Sequence, residues 1–196
     1  MARRPRAFGD GIFHLTAHGS DIRHLFPADE DRKDFLERIA LVCARFELAL
    51  LSYVLLGNHY HLILDLPDAR VSRALQRLHT EYSRDQNRHY GRSAHLFRAH
   101  PFAREIEGDT DLVGTCRYLA RNPVEANLVR DPLAWPWSSA RAHAGLERPR
   151  IPLDESSVRA AFGGTENWRQ NYVTHIRRPN EKSPVSEALR GSGGRI

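Results

Sequence analysis

Two short segments carry side chains whose types and spacing suit chemistry on a phosphodiester. The first is Asn58-His59-Tyr60-His61-Leu62-Ile63-Leu64. On an extended strand alternate residues share a face, so His59 and His61 project together, about 7 Å apart, while Tyr60, Leu62 and Leu64 point to the other side. Two imidazoles at that spacing can converge on one divalent cation. The second segment is Tyr118-Leu119-Ala120-Arg121-Asn122-Pro123. Read as a helix, it buries Leu112, Cys116 and Leu119 on one side. Tyr118 and Asn122, at i and i+4, share a different face with Asp111 and Thr115. Together the segments make a chemical proposal. A divalent cation held by His59, His61 and a third oxygen, for which the Asn122 amide is well placed, would stabilise charge on a phosphodiester, and Tyr118 would attack the phosphorus. A phenol with a pKa of about 10 is a poor nucleophile at neutral pH unless its proton is helped away. Oxygen-seeking Mg²⁺ or Mn²⁺ suits such chemistry better than a closed zinc site. Taken alone, each segment also has a plain structural reading: two unrelated strand histidines, and a tyrosine at the core boundary.

Charge supplies a second signal. The chain has 196 residues and a formal net charge of +5, with 29 basic and 24 acidic side chains. The Arg70–Arg104 stretch holds eight Arg against two acids, Glu81 and Asp85, so the whole positive excess lies there. A helix from about Val71 to Tyr90 would place Arg73, Arg77, Arg84 and Arg88 on one stripe, and Val71, Leu75, Leu78 and Tyr82 on the opposite side. A polyanion, nucleic acid first, is the partner this concentration suggests; a solvated basic face is the plainer reading. His79, His89, His95 and His100 are expected to supplement the basic surface. Arg3, Arg4 and Arg6 add charge at the N-terminus, either as a DNA contact or as a loose tail. Arg outnumbers Lys 27 to 2, which phosphate recognition and GC-rich codons would both favour. No apolar run reaches the roughly 18 residues of a membrane span, and no signal peptide opens the chain. Two distant cysteines, Cys43 and Cys116, make a disulfide framework or zinc site a poor expectation and suit a cytoplasmic protein.

The elements that must position these groups follow from periodicity. A strand is predicted at about 11–16. A helix over 29–47 follows, from acids in its first turn and an apolar stripe of Phe35, Ile39, Val42 and Phe46. Strands at 48–56 and 59–66 flank a turn at Gly57-Asn58. The arginine helix comes next, introduced by Pro67-Asp68, then a strand near 102–107. Asp109 is expected to cap a further helix that Pro123 stops. Strand, helix, strand, strand, helix, strand, helix is the order of a ferredoxin-like α+β fold, an antiparallel sheet with helices on one face. Residues 1–178 are read as a single domain. From about 132 it carries an extension with Trp135 and Trp137 clamping it to the core and short helices near 154–162 and 166–176. From Pro179 to Ile196 the composition predicts a flexible tail.

These residues carry a family resemblance. Leu56-Gly57-Asn58-His59-Tyr60-His61-Leu62 resembles the HUH motif of single-tyrosine transposases. Arg117-Tyr118-Leu119-Ala120-Arg121-Asn122-Pro123-Val124-Glu125-Ala126 resembles the block bearing their nucleophile. His14-Leu15-Thr16-Ala17-His18-Gly19, His95-Leu96-Phe97 and Trp135-Pro136-Trp137-Ser138-Ser139 are similar to segments of the REP-associated tyrosine transposases. The matches run in the family's order over roughly residues 1–145. The resemblance implies the HUH endonuclease fold. It also implies a metal-dependent single-stranded DNA endonuclease and strand transferase that leaves a 5′-phosphotyrosine and a free 3′-hydroxyl. Its partner would be single-stranded DNA folded into a repetitive extragenic palindromic (REP) hairpin, and the protein a monomer or a homodimer. His59 and His61 map to the metal ligands, Tyr118 to the nucleophile and Asn122 to the side chain that completes the metal site. Arg3, Arg4 and Arg6 lie where family members contact DNA. Gly57 stands where Pro is usual, Leu119 where Ile is common, and Asn127 where Gly is common. The alternative is a domesticated protein that binds hairpins without cutting them.

Overall fold

The computed structural model describes residues 10–20, 25–66, 71–93, 95–98 and 101–179. Arg3, Arg4, Arg6, Pro67-Asp68, Arg70, His100 and the expected tail beyond Pro179 lie outside the described residues. The chain forms two compact units, one within Met1–Glu105 and Pro149–Asp154, the other within Ile106–Arg148 and Glu155–Ile196.

The first unit holds β1 (Gly11–His18), α1 (Asp29–Phe46), β2 (Ala49–Leu55), β3 (His59–Leu66), α2 (Val71–His89) and β4 (Phe102–Glu105). The strands form one antiparallel sheet in the order β2-β3-β1-β4, the ferredoxin-like arrangement expected from the element order. Alternation gives the sheet two different faces. Phe13, Leu15, Tyr60, Leu62 and Leu64 are buried on the face that carries the helices. There Phe35 of α1 lies 5.0 Å from the Tyr60 ring and 4.8 Å from the Tyr82 ring of α2. The apolar side of α2, from Val71 to Tyr82, is buried as its periodicity predicts.

Two local features depart from simple patterning. Leu51 is an extra residue between the pairs Leu50–Leu64 and Ser52–Ile63, a β-bulge that restores the alternation beyond it. Helix α1 ends on Glu47, which takes a left-handed conformation (φ 54°) without being glycine.

A buried carboxylate ties the two helices together. Asp31, 5% exposed, accepts hydrogen bonds from Gln86 Nε2 (2.7 Å) and the Tyr90 hydroxyl (2.8 Å) of α2 and its C-terminus. It also accepts from the Ala28 amide at its own helix start (2.7 Å). Three charge-assisted bonds satisfy a group that would otherwise be costly to bury.

In the second unit α3 (Gly108–Glu125) packs against the 3₁₀ turn Pro132–Ala134, α5 (Ser156–Ala161) and α6 (Trp168–Arg177); α4 is the short helix Ala140–His143. Trp137 is buried and Trp135 half-buried. Pro123 does not stop α3 as expected. It sits inside the helix, which continues to Glu125. Proline removes one backbone donor, and so near the end only one turn is affected. Ala126 N–H to Asn122 O (2.9 Å) and Leu128 N–H to Pro123 O (2.9 Å) close that turn. The helix start also differs: Glu107, not Asp109, occupies the cap position, and its N–H donates to the Asp111 carboxylate (3.1 Å).

Asp31→Ala would leave Gln86, Tyr90 and the Ala28 amide without their shared acceptor. It is expected to destabilise the first unit by about 2–4 kcal/mol in urea unfolding. A loss below about 0.5 kcal/mol would mean the clamp carries no net stability.

Candidate active site

The face of the sheet opposite the helices is where the imidazoles gather. β1 and β3 pair so that His18 stands opposite His59, Thr16 opposite His61, and His14 opposite Ile63. Alternation therefore sends His14, Thr16, His18, His59 and His61 to one face and Tyr60 to the other. Thr16 Oγ1 lies 2.8 Å from His61 Nδ1, and His14 Nε2 lies 3.0 Å from the same nitrogen. His18 stacks on His59 at 4.9 Å, and the His59 and His61 rings meet at right angles, 5.1 Å between centroids. His59 Nδ1–H donates to Asn58 Oδ1 (2.8 Å), and the Asn58 carbonyl accepts from the Gly19 amide (2.7 Å), which fixes the start of β3. His14, Thr16 and His61 are almost fully buried. Burial, reinforced by the neighbouring imidazoles His14, His59 and His18, holds the His61 pKa well below its usual value. His18 is also lowered, by burial and by the Arg98 charge. A neutral ring is the form that can donate a lone pair to a metal.

Helix α3, in the second unit, carries Tyr118. Tyr118 and Asn122 share one face, one turn apart, with Thr115, whose hydroxyl donates to the Asp111 carbonyl (2.8 Å). That face is buried: Thr115 is 0% exposed, Tyr118 and Asn122 9% each. Burial raises the Tyr118 pKa, a hydrogen bond from the Asn122 side chain lowers it, and the Glu125 charge raises it again, with a net upward shift. Asn122 thus favours the phenolate that a nucleophile requires.

A family model described as IS200-like transposase matches residues 12–122, a span that includes both histidines, Tyr118 and Asn122. The chain belongs to the IS200-like transposase family. No curated protein gives a match. Among solved structures, a REP-associated tyrosine transposase bound to a REP hairpin superposes with a TM-score of 0.62 at 18% identity, over 79% of this chain and 93% of that one. At that identity the likeness is one of fold. One departure from the transposase pattern has a local explanation. Asn127, standing where Gly is common, takes a left-handed conformation (φ 56°) just after α3, and Asn tolerates that region better than most residues.

The arginine stripe lies elsewhere. Arg73, Arg77, Arg84 and Arg88 are exposed on the outer side of α2. The sheet therefore separates them from the imidazole face. Arg77 pairs with Glu81 (2.6 Å), and Arg84 with Asp85 (3.0 Å), which Arg38 also engages (3.1 Å). Among the described residues, Arg73 and Arg88 have no carboxylate partner. The basic groups closer to the histidines are Arg98 and Arg104, the latter opposite His14 in the β1–β4 register. His79 does not supplement the basic surface. It accepts from the Tyr60 hydroxyl (2.6 Å), stacks on Phe97 at 3.8 Å, and burial lowers its pKa to about 4, so it is uncharged at neutral pH.

The transposase fold implies a divalent metal. His59 and His61 each have Nδ1 engaged by a neighbour, as metal-binding imidazoles usually do. The donor chemistry fits two positions of a coordination sphere. Among the described residues there is no group of three or more His, Cys, Asp or Glu that could hold a metal ion. No helix among the described residues is long and apolar enough to cross a membrane.

Asn122→Ala should raise the Tyr118 pKa further, because it removes the bond that favours the phenolate. A ¹³C-Cζ tyrosine NMR titration would read the shift; an unchanged or lowered midpoint would contradict the assignment.

Proposed function

We propose that the chain is a REP-associated tyrosine transposase, a metal-dependent endonuclease and strand transferase for single-stranded DNA bearing a REP-type hairpin. The observation that carries the reading is the pairing of His59 and His61, each with Nδ1 held by a neighbour, on one sheet face within the family-matched span that also bears Tyr118. The hairpin partner is proposed from the solved neighbour's complex. In this reading Tyr118 attacks a phosphodiester phosphorus as its hydroxyl proton departs. The new P–O bond makes a 5′-phosphotyrosine, and the displaced oxygen becomes a free 3′-hydroxyl. Attack by a 3′-hydroxyl on that ester reverses the step and rejoins strands without ATP. Asn122 stabilises the phenolate and, in the same proposal, contributes to the metal site with His59 and His61. A divalent cation, Mg²⁺ or Mn²⁺, would supply the charge that polarises a phosphodiester oxygen. His59 and His61 bind it as neutral rings. Arg73, Arg77, Arg84 and Arg88, together with Arg3, Arg4 and Arg6, bind the DNA backbone.

Tyr118→Phe is expected to abolish cleavage of a hairpin-bearing single strand, a loss of at least about 10³-fold, while affinity for the strand changes little. Wild-type cleavage by that variant would refute the assignment, and absence of cleavage by the wild-type protein with Mg²⁺ or Mn²⁺ would favour a pure hairpin binder.

Arg73→Ala combined with Arg88→Ala should weaken strand binding and flatten its salt dependence by roughly 0.7 per lost phosphate contact. The effect should exceed that at Arg77 and Arg84, which are already paired. An unchanged slope would move the binding surface off α2.

A further inference from the structure

We propose that Arg98 holds a phosphate of the substrate strand on the imidazole face, beside the cation site, as an anchor for the segment that is cut. This contact deepens, and rests on, the function proposed above. Its basis is a backbone alignment at the end of β1. Gly19 forms an isolated antiparallel bridge with Phe97, the Ser20 amide donates to the Leu96 carbonyl (2.9 Å), and the Arg98 amide donates to the His18 carbonyl (2.8 Å). Arg98 is thereby level with His18, as His18 is level with His59 of β3. Residues level with one another in an antiparallel pair share a face. The residue before Arg98 gives the same parity. The Phe97 ring stacks on His79 at 3.8 Å and lies 6.4 Å from the Tyr60 ring, in the helix-side core. Arg98, one residue on, takes the opposite face, and its charge is felt at the His18 ring.

Arg98, His18 and His59 thus form one row across the sheet, with Arg98 two strand spacings from His59, roughly 10 Å between Cα atoms. An arginine side chain spans most of that distance, and a phosphate fills the rest. Arg98 is exposed, and no carboxylate among the described residues pairs with it. Arg104, which shares this face, is engaged locally: it donates to the Glu105 carbonyl (3.1 Å). An unpaired positive charge so near a cation site opposes cation binding. An anion lying between the two charges relieves that opposition, and a phosphodiester is the anion that the proposed reaction brings. A guanidinium suits the role, because its planar fork gives two parallel hydrogen bonds to non-bridging phosphate oxygens. Arg73 and Arg88 lie across the sheet, so they grip the strand independently of the cation. Arg98 shares a face with His59 and His61, and a phosphate held there meets both charges at once.

The test uses the full chain and a DNA hairpin with single-stranded flanks, bound in EDTA and followed by fluorescence anisotropy. Arg98→Gln is expected to weaken binding about tenfold and to flatten the salt slope by about 0.7, the value for one phosphate contact on a single strand. Arg98→Lys, which keeps the charge, should keep the slope. Single methylphosphonate substitutions locate the contact. At one phosphate, at or next to the bond that the wild-type protein cuts, the substitution should weaken wild-type binding and leave Arg98→Gln unaffected. Mn²⁺ titration without DNA, read by electron paramagnetic resonance, should give Arg98→Gln an affinity equal to or above that of wild type. A residue that merely supports the imidazole layer would lose affinity instead. An unchanged salt slope in Arg98→Gln, a coupled phosphate remote from the cleaved bond, or weakened Mn²⁺ binding overturns the proposal. A wild-type protein that takes up no Mn²⁺, or that binds the strand and cuts nothing, refutes the cleavage reading. The two failures are distinguishable, because the salt slope is read without metal or cleavage.

Discussion

Everything at the imidazole face depends on the register of β1 against β3. In an antiparallel pair each residue takes a face by parity, and the residue opposite takes the same face. The pairs Thr16–His61 and His18–His59 therefore bring four polar side chains of two strands together. The intervening residues, Leu15, Ala17, Tyr60 and Leu62, form the apolar floor under α1 and α2. A slip of one residue would exchange the faces, driving imidazoles into the helix core and Tyr60 and Leu62 out of it. Burial of Tyr60, Leu62 and their partners, worth roughly 1.5–3 kcal/mol for each large side chain, thus holds the register that orders the histidines.

The same division sorts the electrostatics. Burial keeps His61 and His79 neutral, but for different ends. His79 receives a hydrogen bond from Tyr60 and closes the helix-side core, whereas a neutral His61 is the form that the proposed cation site requires. Arg73 and Arg88 stand on the far surface of α2, so a strand bound there is gripped at a distance from the imidazoles. Asp31 links α1 to α2 and its C-terminal end through Gln86 and Tyr90, which holds the helix carrying those arginines against the layer that supports Tyr60.

Much of this was legible in the sequence. The period-two pattern of His59–Leu66 and the apolar stripes of the helices gave the element order, and the order gave the ferredoxin-like sheet. The split between Tyr60 and its flanking histidines followed from parity alone. What stayed hidden depended on partners distant in the chain. The place of His14 and His18 was hidden, because only the β1–β3 register shows that they meet His61 and His59. The alternating His14-x-Thr16-x-His18 pattern opposite His59-x-His61 was the available signal. The Leu51 bulge has no signature in a continuous apolar run. Pro123 misled because a proline near a helix end costs only a local bond; it is itself buried, and the helix runs one short step further to Glu125. The arginine stripe was correct as a helix face, but its ion pairs to Glu81 and Asp85, and its place across the sheet from the histidines, needed three dimensions.

The proposed reaction asks a buried phenol, whose pKa the fold raises, to become a nucleophile. Such an arrangement is costly unless the oxygen forms a bond, so the covalent intermediate is the central claim. It is tested most directly by a suicide hairpin substrate with a 3′-bridging phosphorothiolate at the scissile phosphate, whose 3′-thiol leaving group does not re-attack the ester, incubated with Mn²⁺ and then digested for peptide mass spectrometry. The account predicts one adduct, a nucleotide ester on the peptide containing Tyr118. Strand cleavage without an adduct, or an adduct on another residue, would contradict it.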